Sequence, residues 1–177
     1  MSGDKNYLWF SAYTNSEVIV MRKKSKAWVY IISVLIAYAV ALLSLLFTKD
    51  SMQQYALLEK PPLAPDSIVF PIVWGILYTL MGISSAIIYL SHSRQKKPAL
   101  TVYAVQLVLT FVWTLLFFKL KLRLASLVLL VVMVILVISM IVRFGRIKPI
   151  AGYMNIPYLL WLLFATYLNV GTYILNG

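Results

Sequence analysis

Five stretches of this chain each run for the width of a bilayer without one Asp, Glu, Lys or Arg: residues 27–47, 67–90, 99–118, 124–142 and 150–175. A helix that crosses the hydrocarbon core needs about 20 consecutive apolar residues. The runs are long and do not alternate, so they predict helices and not barrel strands. The fold class that follows is an all-α integral membrane protein, a bundle of five transmembrane helices. Composition agrees: 62% of the 177 residues are hydrophobic and only 12% charged. A soluble domain has no way to hide that much apolar surface.

The segments between the spans are short. Residues 92–98, 119–123 and 143–149 read as tight loops, and residues 48–66 as the longest connection. That connection carries Glu59-Lys60-Pro61-Pro62-Leu63-Ala64-Pro65, whose prolines remove backbone donors and fix φ. It reads as a stiff surface segment and not a helix. Asp66 or Ser67 is positioned to cap the second span, and Pro71 lies in its first turns, where a missing amide costs little. Residues 1–26 form a polar extension, expected to be disordered or dispensable, and residues 27–177 form the membrane domain. Met21-Arg22-Lys23-Lys24 itself resembles the start of a membrane protein, so the first 20 residues are open to question as native sequence. The first span is too long for a secretory signal and lacks a small-residue cleavage site. No internal repeat of the kind found in transporters is visible.

Basic residues set the orientation. With the N-terminus inside, eleven Lys and Arg fall on inside segments and five on outside segments. That bias predicts an inside N-terminus and an outside C-terminus, with the Lys119–Arg123 cluster opposing it. The formal charge of +11 is accounted for by these flanks and by anionic lipid. It does not indicate nucleic acid, because no basic groove with interleaved aromatics is present.

Several chemistries are excluded by what is missing. The chain has no cysteine and one histidine, His92, at the inner end of the second span. No metal site, no haem held by paired histidines and no hydrolase triad can be assembled from it. All five acidic residues lie outside the spans, which counts against a proton-driven antiporter. No catalytic residue is assigned and no cofactor is obligatory.

The spans do hold aromatic and uncharged polar residues at helical spacing. Trp74, Tyr78, Met81 and Ser85 share a face of the second. Gln106, Thr110, Trp113 or Thr114, and Phe117 share a face of the third. Trp161, Ala165 and Asn169 fall at i, i+4 and i+8 on the fifth, with Phe164 and Thr172 beside them. Two readings stand: interhelical packing and hydrogen bonding, or an aromatic cavity with a few polar groups that orient a flat ligand. Ala165 leaves room for the second.

Taken together, these residues resemble the TspO/MBR family, the tryptophan-rich sensory proteins that include the mitochondrial translocator protein. The resemblance rests on Tyr55-Ala56-Leu57-Leu58-Glu59-Lys60-Pro61 and Pro65, then Phe70-Pro71-Ile72-Val73-Trp74, Leu77-Tyr78 and Met81-Gly82. It continues through Trp113-Thr114-Leu115-Leu116-Phe117-Phe118, Pro157-Tyr158, Trp161, Phe164-Ala165, Leu168-Asn169 and Leu175-Asn176. It spans about residues 27–177.

The resemblance implies a five-helix bundle, a homodimer in the membrane, and an interhelical pocket roofed by the proline-rich loop. It implies porphyrin ligands, protoporphyrin IX and haem, held by Tyr55, Pro65, Phe70, Trp74, Tyr78, Thr110, Trp113, Trp161, Phe164 and Ala165. Lys60 at the mouth would meet the porphyrin carboxylates. The function implied is a membrane receptor, sensor or carrier. A light-dependent porphyrin-degrading enzyme and a small-molecule transporter are the alternatives. The chain departs from the family at Gln54 and Leu63, where many members have Trp, and at Thr110, often Asn. No Lys or Arg follows Lys148, so the sterol motif of eukaryotic members is absent. A bacterial plasma membrane is the expected location.

Overall fold

The computed structural model describes residues 26–49, 51 and 57–176. Five helices long and apolar enough to cross a membrane lie among them, and the protein is an integral membrane protein. α1 covers Lys26–Lys49 and α2 covers Val69–Tyr89. α3 covers Lys96–Thr114 and continues as a π-helical turn, Leu115–Lys119. α4 covers Arg123–Ile147, and the fifth span is divided into α5, Pro149–Tyr153, and α6, Ile156–Asn176.

One spacing organises the core. The buried residues of α4 are Ser126, Leu130, Met133, Val137, Met140 and Phe144, a strict alternation of four and three. α3 repeats it with Ala99, Tyr103, Gln106, Thr110, Trp113 and Phe117. α6 repeats it with Tyr158, Leu162, Ala165, Asn169 and Thr172, and α2 with Tyr78, Met81, Ser85 and Ile88. A 3.5-residue period keeps a seam turned toward its neighbour along the whole helix. The inner faces expected from the sequence are therefore these seams, and lipid-side residues such as Leu35, Ile76, Val108 and Ile135 are exposed.

α1 runs antiparallel to α2. Tyr38 donates to the Gly75 carbonyl at 2.9 Å and lies 3.0 Å from the Thr79 hydroxyl. Four residues earlier, the backbone of Val34 lies against Gly82, where a Cβ would collide with it. Polar ties hold the other helices: Asn169 Nδ2 donates to Ser126 Oγ at 2.8 Å, and Asn155 Nδ2 to Ser84 Oγ at 2.9 Å.

Several boundaries differ from expectation. α4 does not stop at Val142 but continues to Ile147, and Lys148 alone makes the turn into α5. Gly145 and Gly152 allow that reversal, because a Cβ on Gly152 would meet the Gly145 backbone. The fifth span breaks after Tyr153, where Pro157 withholds an amide and Asn155 bonds the Ala151 carbonyl at 2.8 Å. α3 begins at Lys96, inside the expected loop 92–98. The start of α2 has Ile68 at its N-cap and no side-chain cap; Asp66 contributes only its carbonyl, to Val69 N at 2.9 Å. Pro71 does lie in the first turn. Apart from Lys26, the polar extension falls outside the described residues, as do Gln54 and Tyr55.

Candidate functional site

The centre of the bundle is polar. Tyr158 on α6 donates to Gln106 Oε1 on α3 at 2.7 Å, and its oxygen lies 3.0 Å from the Thr110 hydroxyl. Gln106 Nε2 points to Met81 Sδ on α2 at 3.6 Å. All four side chains are essentially buried. In hydrocarbon such groups are costly unless partnered, so they tie α2, α3 and α6 at one level.

Aromatic rings cover this network. Trp74 stacks on Tyr78 with centroids 5.3 Å apart and leans on Tyr158 at 6.2 Å. Tyr38 adds a ring 6.2 Å from Tyr78. Toward the loop a second series begins: Phe70 meets Trp161 edge to face at 5.8 Å, Trp161 meets Phe164 at 5.6 Å, and Phe164 stacks on Tyr167 at 6.1 Å. Phe70, Trp74, Trp161 and Phe164 are half-buried, so part of each ring's surface remains accessible. Ala165 is buried between them on the α6 seam.

Trp113 belongs to a separate group. It stacks on Phe117 at 5.6 Å and meets Phe118 edge-on at 6.1 Å. Its indole N–H is buried with no hydrogen-bond partner among the described residues. The π-helical turn follows directly, with Leu120 N bonded to the Leu115 carbonyl at 2.9 Å. Such turns insert a residue into a helix and re-aim side chains, often at functional sites.

The proline-rich loop is fastened to the end of α6. Asn176 Nδ2 donates to the Glu59 carbonyl at 2.9 Å while Glu59 N donates to Asn176 Oδ1 at 3.0 Å. Tyr167 donates to the Pro62 carbonyl. Pro61 is buried against Gly171, where a Cβ would fall inside the proline ring. Arg123 Nη1 holds the Asn176 carbonyl at 3.0 Å. Pro65 is half-buried. Leu63 points outward, 83% exposed, with φ at 67°.

Of the residues expected at the site, Phe70, Trp74, Tyr78, Trp161 and Phe164 fall in the two ring series, with Ala165 on the same seam. Thr110 joins them through Tyr158. Trp113 makes no ring contact with either Trp74 or Trp161, and Tyr55 lies outside the described residues. Tyr158, the residue that links polar centre to ring cover, was not among those expected. Its signal was its spacing, three residues before Trp161 and seven before Ala165. Among the described residues no cluster of metal ligands exists. Chemically, the arrangement offers accessible aromatic surface on Phe70, Trp74, Trp161 and Phe164, suited to a flat apolar molecule, above hydroxyl and amide groups that bond one another.

The profile of the TspO/MBR family matches residues 32–175. The tryptophan-rich protein TspO of Archaeoglobus fulgidus is 35% identical over 147 residues, which is 82% of this chain and 95% of that protein. The translocator protein of Bos taurus is 32% identical over 68% of this chain and 73% of its own length. The tryptophan-rich sensory protein of Cereibacter sphaeroides is 34% identical over 69% of this chain and 76% of its own.

Proposed function

The chain belongs to the TspO/MBR family, and on that premise we propose that it is a membrane receptor or sensor for tetrapyrroles, protoporphyrin IX and haem in particular. The observation that carries this reading is the ring cover over the polar centre: Trp74 stacked on Tyr78 and leaning on Tyr158, which is itself bonded to Gln106. A porphyrin presents a broad π-face and two carboxylates. The faces of Trp74 and Trp161 supply stacking, each contact adding about 0.5–1.5 kcal/mol beyond area burial. The carboxylates lie toward the loop, where Lys60 sits. Sensory and translocator names among the relatives support a receptor or sensor role. The proposed setting is a bacterial plasma membrane with the N-terminus inside, and the proposed assembly is a homodimer.

The test is an equilibrium titration of the full chain in detergent with protoporphyrin IX and with haem, in darkness, followed by the porphyrin's own absorption band. Trp74→Phe with Trp161→Phe should weaken binding about tenfold, from the loss of two indole faces. Unchanged affinity in the double variant removes the pocket assignment. A new absorbing product that forms only under illumination would instead favour an enzyme.

A further inference from the structure

At the end of the bundle opposite Pro61, a cavity of about 450 Å³ opens between the α2–α3 connection and the last turn of α4. Ser93 and Gln95 form one wall, and Ser139, Arg143 and Arg146 the other. Val142 and Ile147 close its apolar side. It shares no residue with the aromatic site.

The cavity's charge is uniformly positive. Its charged lining residues are Arg143 and Arg146, and Arg94, Lys96 and Lys148 adjoin lining residues in the chain, while the acidic residues among those described, Glu59 and Asp66, are at the other end of the bundle. The two arginines sit one turn apart on α4. Arg143 Nε donates to Ser139 Oγ at 3.2 Å, which fixes the guanidinium and leaves its terminal nitrogens for something else. Arg146 makes no hydrogen bond or ion pair among the described residues. The Ser93 oxygen already accepts from Gln95 N at 3.1 Å, so its proton is available to an acceptor. The starting end of α3 adds the positive pole of a long helix.

Paired guanidinium groups, the Ser93 hydroxyl proton and the start of α3 put donors and positive charge in excess over the acceptors of Gln95, the serines and the end of α4, the pattern that suits tetrahedral oxyanions. Cationic groups are repelled there, and neutral acceptors gain less than an anion does. The apolar wall and the place at a span's end add a second requirement, a molecule with one end in water and the other in hydrocarbon. We propose that this cavity binds a phosphate ester, presented as the headgroup of an acidic phospholipid at the membrane boundary.

Native mass spectrometry of the full chain in detergent tests this, with phosphatidylglycerol, phosphatidylcholine and glycerol 3-phosphate as separate probes. The wild type should retain phosphatidylglycerol over phosphatidylcholine by about tenfold. R143Q/R146Q should lose that preference, and R146Q alone should reduce it, with no hydrogen bond or ion pair among the described residues lost. K119Q/K121Q, which removes equal charge from the opposite end, should keep it. Equal retention of both lipids by the wild type, an undiminished preference in R143Q/R146Q, or an equal loss in K119Q/K121Q overturns the proposal. Binding of glycerol 3-phosphate that depends on both arginines, without preference between the lipids, overturns the lipid source and assigns the cavity to a soluble phosphate ester.

Discussion

The phenol of Tyr158 donates to Oε1 of Gln106 at 2.7 Å, between two helices whose closest residues in this network are 48 positions apart in sequence. The bond stands where α2, α3 and α6 meet and beneath the Trp74 ring. It couples the shape of the aromatic faces to the packing of the bundle.

Tyr158→Phe removes that donor and leaves Gln106 Oε1 to the distant Thr110 hydroxyl at 3.5 Å. A buried acceptor without a good donor costs about 1–3 kcal/mol, and hydrogen bonds between membrane helices sit at the lower end of that range. Thermal unfolding in detergent should show a lowered midpoint. The double variant with Gln106→Leu should recover part of the loss, because the orphaned acceptor is gone. Strict additivity of the two substitutions would mean that the pair is not coupled.

Gly171→Ala should unseat the proline-rich loop. The new methyl would overlap the Pro61 ring, which is rigid and buried, so the loop and not the side chain must yield. Overpacking of this kind costs about 1–3 kcal/mol. Limited digestion with a glutamyl endopeptidase should cut faster after Glu59, while the spans, which hold no acidic residue, stay protected. Asn176→Ala removes the two reciprocal bonds to Glu59 and should act in the same direction. Unchanged cleavage in both variants would show that the loop is held elsewhere.

The spans and their inner faces were legible because both depend on local pattern. Freedom from charge over twenty-odd residues marks a span, and the spacing of Trp74, Tyr78, Met81 and Ser85 marks a face. The joining of those faces was not legible. Tyr158 meets Gln106, Asn176 meets Glu59 and Gly171 meets Pro61 only because separate helices pack, and no local signal pairs such residues. Asp66 and Ser67 misled for a related reason. They have capping chemistry, yet the backbone enters α2 at Ile68 and leaves their side chains outside. The stop expected after Val142 failed because Arg143 and Arg146 extend beyond the hydrocarbon without ending the helix. It ends where Lys148, extended ahead of Pro149, leaves the helical conformation.

Leu63→Gly should raise stability or leave it unchanged. The Ala64 N to Pro61 O bond at 3.2 Å closes a turn around Pro62 and Leu63, and φ at Leu63 is 67°. A positive φ at the third residue of such a turn suits glycine. For an L-residue it costs about 1–2 kcal/mol, and glycine's greater freedom in the unfolded chain returns about 0.5–1 kcal/mol of that. The side chain is 83% exposed, so little packing is lost. A clear fall in the thermal midpoint would mean that Leu63 makes contacts in the membrane.

The absence of native cysteine makes orientation directly measurable, since one introduced thiol is the sole reactive site. Lys97→Cys lies at the end of the bundle where α3 begins, and Lys121→Cys at the end where α4 begins; both positions are exposed. The bias of eleven basic residues against five places the first of these inside. In intact cells, a membrane-impermeant maleimide should therefore label Lys121→Cys and spare Lys97→Cys until the membrane is broken. The opposing cluster of Lys119, Lys121 and Arg123 makes the outcome informative. Arg123 is engaged with the Asn176 carbonyl and Lys119 lies over the Phe47 ring at 5.1 Å, so both have roles in packing apart from topology. Labelling of Lys97→Cys alone in intact cells would invert the orientation. It would also turn the arginine-lined cavity toward the outer leaflet.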